Sequence, residues 1–285
     1  MTSAYAEVIG DPIAQSKSPA IHNFWLGKLA IAAQYRACHV TPGGLADYLA
    51  QRRSDPHWRG CNVTMPHKQA VMPLLDAITP DAVRIGAVNT IVRGSDGALT
   101  GFNTDAPGFL EPLEAELARL HLYRMARILG AGGAARAIVA ALAGRGFTIV
   151  LAARDPARAR ALLDDLAPGP DNHAIDIEHF APETDFAFDD REGLLDLVVN
   201  ASPLGMAGQP PLRFDFSHAP PGALIYDIVT HPLETAFLIE AQQRGFATID
   251  GLAMLIGQAA VAFEQFCGEA APRKFDAELR ALLTA

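Results

Sequence analysis

The stretch ILGAGGAARA, residues 128–137, constrains the possible folds more than any other part of this 285-residue chain. Gly130, Ala131, Gly132, Gly133 and Ala134 follow an apolar run, RMARIL, and open a segment of helical spacing, ARAIVAALAG. Strand, glycine turn and helix form the setting in which a dinucleotide pyrophosphate rests on a helix N-terminus. Gly130 permits the tight turn. Gly132 lets the backbone approach the phosphates. Ala135, where a third glycine is usual, still allows close helix packing. FTIVLAA supplies the next strand. A glycine-rich connection with no ligand is the rival reading, and the strand on either side weighs against it.

The end of that next strand, AARDPAR, is where such folds read the adenosine ribose. Arg154 and Arg158 suit a 2′-phosphate and hence NADP. Asp155 suits the 2′-hydroxyl of NAD, or else caps the following helix ahead of Pro156. NADP is the expected cofactor, with NAD the alternative.

Short apolar runs alternate with longer amphipathic segments along the chain, the mark of an α/β fold. AEVIG, YRACHV, GCNVTM, LLDLVVNA, ALIYDIV and ATID read as strands. Ser18 followed by Pro19 reads as a capped helix start. AVNTIVRGSDGALTGFNTD reads as a hairpin turning at Ser95-Asp96-Gly97. APGFLEPLEAELARLHL, HPLETAFLIEAQQRG and GLAMLIGQAAVAFEQFCG each read as one helix. The acidic stretch 167–190, with Pro168, Gly169 and Pro170, reads as a surface loop.

The formal charge of −9 and pI near 5.4 argue against a nucleic-acid-binding surface. No apolar run is long enough to span a membrane, and the N-terminus lacks the pattern of a secretory signal. The three cysteines form no CxxC and the nine histidines no HxxxH pair, so no metal is expected and a reducing cytoplasm is the expected location. A small-molecule enzyme fits this profile, as a monomer or homodimer.

GCNVTMPHKQ, residues 60–69, sets Asn62, Thr64 and Lys68 around a proline at the end of an apolar run. Lys68 is either a solvated surface lysine, as most are, or a working group. The stretch alone favours the solvated reading.

Taken in order, GDPIAQSKSP, NVTMPHK, GAVNT, GFNTD, GAGGAARA, VNASPLGM, DIVTHPLET and DGLAMLIGQAAVAF resemble the motifs of the shikimate dehydrogenase family over nearly the whole chain. The resemblance implies two domains. A substrate-binding α/β domain with a mixed, mainly parallel sheet would take residues 1–105 plus 240–285. A Rossmann-like dinucleotide-binding domain would take residues 106–239, with the active site in the cleft between them. It makes Lys68 the catalytic lysine and Asp105 its partner. Ser16 and Ser18 would hold the substrate carboxylate, and Asn62, Thr64, Asn89 and Gln258 the ring hydroxyls. Asn200, Ser202, Met206 and Met254 would lie on the nicotinamide side. The substrate pair would be shikimate and 3-dehydroshikimate, with quinate as the alternative.

The chemistry of these side chains agrees. Oxidising a secondary alcohol without a metal needs a side chain to take the hydroxyl proton. A lysine serves, and a paired carboxylate favours its charged form, so Asp105 orients Lys68 rather than making it a base. Ser16 and Ser18 precede a helix whose amide end favours an anion. Two departures from the family pattern stand out. Thr230 occupies the place of a tyrosine that helps hold the carboxylate, and loss of one such bond costs about 1.5–3 kcal/mol. Asp155 stands where NADP-using members often have threonine. Two rivals follow: a quinate/shikimate dehydrogenase-like paralogue using NAD, and a non-catalytic sensor, against which the presence of both Lys68 and Asp105 counts.

Overall fold

The computed structural model describes residues 3–186, 188 and 193–284. The chain is α/β and forms two compact units, Met1–Gly108 with Ile256–Ala285, and Phe109–Leu255. Each unit carries one six-stranded sheet.

In the first unit, β1 (Ala4–Gly10), β2 (Ala33–His39) and β3 (Trp58–Val63) run parallel, linked by α1 (Ser18–Lys28) and α2 (Leu45–Arg53). A single turn, α3 (His67–Ala70), then leads to β4 (Ala77–Ile78) and α4 (Pro80–Ile85). β5 (Thr90–Arg93) and β6 (Leu99–Phe102) form the expected hairpin, and α5 (Asp105–Leu110) follows. Gly97 sits at φ +87° in the turn, with Ala98 N–H donating to Asp96 Oδ1. The strand order is β2-β1-β3-β5-β6-β4. Ile9, Trp58, Cys61, Ile91 and Leu99 are buried in its core. β1 is interior, which is why it reads as a nearly unbroken apolar run. Glu7 is the exception. Burial pushes its carboxyl up, but hydrogen bonds from Arg52, Tyr48 and Arg36 outweigh that and leave it below the ordinary carboxylate value.

One irregularity in this sheet moves a charge. Tyr5 pairs with Trp58 but Ala6 with Gly60, so Arg59 is an extra, bulged residue. Gly60 lies at φ +149°, and a Cβ there would come within 2.1 Å of Ile91 O, so only glycine fits.

The second unit begins with the turn α6 (Glu114–Leu117). Then come β7 (Tyr123–Leu129), α7 (Gly133–Ala143), β8 (Thr148–Ala153), α8 (Pro156–Leu166) and β9 (His173–Asp176). β10 (Leu194–Asn200), β11 (Leu224–Asp227), α9 (Ala236–Gln243) and β12 (Ala247–Ile249) complete it. All described pairings are parallel, in the order β12-β11-β10-β7-β8-β9. The order reverses between β7 and β10, and the crevice beyond the carboxyl ends at such a reversal is where doubly wound sheets bind ligands. α10 (Gly251–Cys267) and α11 (Asp276–Thr284) end the chain. Residues 240–255 fold with the second unit, since β12 pairs with β11.

Several local expectations need correction. α1 is capped by Lys17, not Ser18, which is already helical; the serine that accepts an amide there is Ser16, from Ser18 N–H. APGFLEPLEAELARLHL is not one helix. Glu111–Leu113 is a 3₁₀ turn between α5 and α6, because Pro112 cannot donate to a continuing α-helix. α9 begins only after Thr235, whose hydroxyl accepts from Leu238 N–H. The stretch 167–190 holds the edge strand β9 and a 3₁₀ turn, Ile177–Phe180; its residues 187, 189 and 190 lie outside the described residues.

His22 on α1 is 2% exposed, and burial pushes its pKa down to about 3. Above pH 6.5 the ring is neutral both folded and unfolded. Below that the unfolded chain binds a proton that the folded chain refuses, so stability falls as pH drops. Between pH 6.5 and 5, above the range of most carboxylates, this amounts to at most about 2 kcal/mol. Urea unfolding at the two pH values should show a smaller loss in His22→Leu than in wild type. Equal losses would mean that the folded state accommodates a charged His22.

Candidate active site

Two groups of polar residues, one in each unit, contain most of the residues singled out in the sequence. In the first unit, the loops leaving β1 and β3 lie side by side. Thr64 N–H donates to Ile9 O at 2.9 Å and Asp11 N–H to Met65 O at 3.0 Å. Ser16 lies on one loop, with Ser18 opening α1 at its end, and Thr64 on the other, with Lys68 in α3 at its end. α3, which carries Lys68, is pinned on both sides. The buried His67 ring bonds Val40 O at 2.6 Å, and Lys68 O accepts from Val88 N–H at 2.8 Å. Lys68 is therefore anchored at its backbone and is not a solvated surface residue: its side chain is 17% exposed, and Nζ donates to Asp105 Oδ2 at 2.5 Å.

Asp105 opens α5, where its own N–H donates to Asn103 Oδ1, and its Oδ1 accepts from Asn89 Nδ2 at 2.9 Å. Asn89 also accepts from Thr104 N–H and from Thr90 Oγ1. Asn62 Nδ2 donates to Thr90 Oγ1 at 2.9 Å, and Asn62 Oδ1 accepts from the Tyr35 hydroxyl at 2.6 Å. Thr104 Oγ1 lies 3.4 Å from Gln258 Oε1. Thus Lys68, Asp105, Asn89, Asn62 and Gln258 belong to one connected, largely buried network. Tyr35, Thr90, Asn103 and Thr104 were missed as members. Thr90 and Thr104 stand beside residues that were singled out, but nothing in YRACHV marks Tyr35.

Such a network can do two things. Its carboxylate holds an ammonium at a fixed point, and its amides present donors and acceptors to a polyhydroxylated ligand. Burial makes the geometry costly to abandon, since each buried polar group left unpaired costs about 1–3 kcal/mol.

In the second unit, a cavity of about 260 Å³ lies at the ends of β7, β8 and β10. Gly130, Ala131, Gly132, Arg154, Asp155, Arg158 and Ser202 line it, as do Ala201 and Leu204. Gly130 is at φ +117°, and a Cβ there would meet Ala201 and Ser202 at 2.9 Å. At Gly132 a Cβ would meet nothing within 4 Å, so the space is open. Gly133 and Ala134 start α7 behind the turn. These features fit a dinucleotide: an open glycine turn, a helix N-terminus and exposed arginines.

Asp155 caps α8, one of the two readings of its sequence context. Its Oδ1 accepts from Ala157 N–H and Arg158 N–H at the start of α8. Arg154 and Arg158 are exposed and make no ion pair among the described residues.

Asn200 does not line the cavity; it is fully buried and shapes the wall. Its Oδ1 accepts from the Ser202 amide and hydroxyl, and its Nδ2 donates to Leu204 O and Asp227 Oδ1. Asp227 is also fully buried. Burial pushes its carboxyl above the ordinary value, although bonds from Val229 N–H, Thr235 and Asn200 oppose this. One carboxylate therefore fixes two loops, 200–204 and 229–235. Met206, Met254 and Thr230 lie in this unit outside the cavity lining, Met254 buried and Thr230 half-buried. Tyr226 cannot stand in for the family tyrosine, because its ring is buried against Phe109, 4.9 Å between centroids, and its hydroxyl is enclosed.

The family model for the shikimate dehydrogenase substrate-binding domain matches residues 8–91. The NADP(+) shikimate dehydrogenase of Sphingopyxis alaskensis is 51% identical over 99% of this chain and 98% of its own. The solved shikimate 5-dehydrogenase of Thermus thermophilus, in complex with NADP(H) and shikimate, is 34% identical, with TM-score 0.79 over 98% of this chain and 99% of its own. The quinate dehydrogenase of Corynebacterium glutamicum in complex with NAD is 30% identical, with TM-score 0.80 over 98% and 99%.

The two glycines of the turn should respond differently to the same change. Gly132→Ala should keep its melting temperature within a few degrees and lose at least about tenfold in dinucleotide affinity, because the added methyl enters only the cavity. Gly130→Ala should melt lower as well, because its methyl meets backbone at a positive φ. Thermal melts with fluorescence titration of NADPH read both. Full affinity in Gly132→Ala would remove the phosphates from this turn.

Proposed function

The chain belongs to the shikimate dehydrogenase family, and on that premise we propose that it catalyses the reversible NADP-linked reduction of 3-dehydroshikimate to shikimate, a step of aromatic amino-acid biosynthesis. The observation that carries the residue assignment is the Lys68–Asp105 pair at 2.5 Å, held at one end of the amide network that runs through Asn89 to Asn62.

Reducing the ketone requires a hydride on carbon and a proton on oxygen. Bound NADPH supplies the hydride. Lys68 gives the proton from its ammonium and recovers one from solvent. In the oxidative direction its neutral amine accepts the hydroxyl proton. Asp105 holds Nζ at a fixed point and favours the ammonium, so its part is orientation and charge balance. Asn62, Thr64, Asn89 and Gln258 bind the ring hydroxyls. Ser16 and Ser18, at the N-terminal end of α1, take the carboxylate, with Thr230 contributing a hydroxyl where the family usually has a tyrosine.

Gly130–Ala134 cradle the pyrophosphate, and Arg154 with Arg158 take the 2′-phosphate. Asp155 tolerates that phosphate because α8 amides engage its carboxylate. Asn200, Ser202, Met206 and Met254 serve the nicotinamide side. All three cysteines are free, in keeping with a reducing cytoplasm. No helix among the described residues is long and apolar enough to cross a membrane.

Absorbance at 340 nm with shikimate or quinate, each with NADP or NAD, tests the reaction: the fastest turnover is expected with shikimate and NADP, and preference for quinate or NAD would overturn that. Lys68→Ala should bind NADP normally and lose about a thousandfold or more in kcat, with KM changing far less; kcat near wild type would remove Lys68 from proton transfer. Arg154→Ala and Arg158→Ala should each raise KM for NADP about tenfold and leave NAD use little changed, the loss of one charge-assisted contact. Asp155→Thr, which keeps a capping oxygen, should alter the NADP-to-NAD ratio of kcat/KM less than either. A larger change in Asp155→Thr would mean that the carboxylate reads the ribose after all.

A further inference from the structure

The first unit contains a second cavity, of about 450 Å³, lined by none of the residues given a substrate, cofactor or proton-transfer role above. That size is within the range of small-molecule sites. It is walled by His22, Tyr35, Arg59, Phe263, Phe266 and Cys267, among others. Its chemistry is specific. The His22 and Tyr35 rings stack at 4.0 Å, 4° from parallel, with Phe263 and Phe266 at 5.9 and 6.0 Å from His22. His22 is 2% exposed and its Nε2 has no hydrogen-bond partner. The single cation among the described lining residues is Arg59, brought here by the bulge in β3 and close enough to Cys267 to oppose the burial that raises its thiol. A neutral aromatic wall beside one guanidinium suits a flat apolar body with one negative group.

The same wall is one end of the catalytic network. The Tyr35 hydroxyl bonds Asn62, and the chain continues through Thr90 and Asn89 to Asp105 and Lys68. α10 carries Phe263 and Phe266 into the cavity and Gln258 into the network.

We propose that this cavity is an effector site for a small aromatic anion, coupled to the Lys68–Asp105 pair through the Tyr35–Asn62 hydrogen bond. The coupling rests on the roles proposed for Lys68 and Asn62; the binding site rests on the cavity alone.

The probe is anilinonaphthalene sulfonate, followed by its fluorescence on the whole enzyme. It should bind in the presence of saturating NADP. Ala33→Trp, which fills the cavity from β2, should abolish that binding, and Arg59→Met should weaken it about tenfold. Bound probe should change kcat/KM for shikimate at least about fivefold, the low end of ordinary coupling. Tyr35→Phe keeps the ring and removes the hydroxyl; it should retain probe affinity within about twofold and lose most of the kinetic effect. Absence of binding, displacement by NADP, or binding indifferent to Ala33→Trp would overturn the site. So would a dimer in solution that Ala33→Trp dissociates, since a second copy would then cover this face. Binding without a kinetic effect, or an undiminished effect in Tyr35→Phe, would overturn the coupling. An inactive shikimate assay combined with specific probe binding would instead locate the failure in the proposed reaction.

Discussion

The carboxamide of Asn89 is the interaction on which the first unit's polar interior depends. It is 3% exposed. Its oxygen accepts from the Thr104 amide and the Thr90 hydroxyl, and its nitrogen donates to Asp105 and Thr104. The arrangement ties β5 to the start of α5, so that a residue of the hairpin sets the position of a carboxylate beyond it. A low local dielectric strengthens each of these bonds and raises the cost of breaking any one. The Lys68–Asp105 pair is therefore positioned through the hairpin and the start of α5.

The second unit solves a similar problem with a buried carboxyl group. Asp227 has no exposure to water, yet it receives three hydrogen bonds from two loops. Asn200 passes that constraint to Ser202 and Leu204 at the cavity wall. Gly130 completes the fit from the other side, since only a residue without a side chain allows the turn to sit against Ala201. The glycine turn is thus fixed by contact with the neighbouring strand end as well as by the conformation it must adopt.

What was legible in the sequence was whatever depends on local pattern. The glycine turn between strand and helix, the hairpin at Ser95–Gly97, and the order of motifs from GDPIAQSKSP to the last helix were all readable. Hydrophobic periodicity gave α10 its full length. What was not legible depends on partners distant along the chain. Tyr35 belongs to the network only because β2 lies beside β1 and faces Asn62 across it. Ile177, Gln209 and Pro210 line the cavity at the glycine turn with no signal of their own. β9 is a four-residue edge strand whose residues are exposed or half-buried, so its composition looks like a loop. Pro112 was visible, but the helical spacing around it outweighed a residue that should have ended the helix. The bulge at Arg59 follows from Gly60 meeting Ile91, which strand alternation does not reveal.

The division of the chain has a consequence for its synthesis. The second unit is one unbroken stretch, Phe109–Leu255, whereas the first needs residues from both sides of it. On the ribosome the dinucleotide-binding part can therefore close while the older N-terminal segment still waits for Ile256–Ala285. Gly108 lacks a side chain because Gln258 backbone occupies that space, within 2.4 Å of where a Cβ would be. The enzyme's oldest segment is thus the last to mature, and its chemistry starts only after α10 has emerged to fill it.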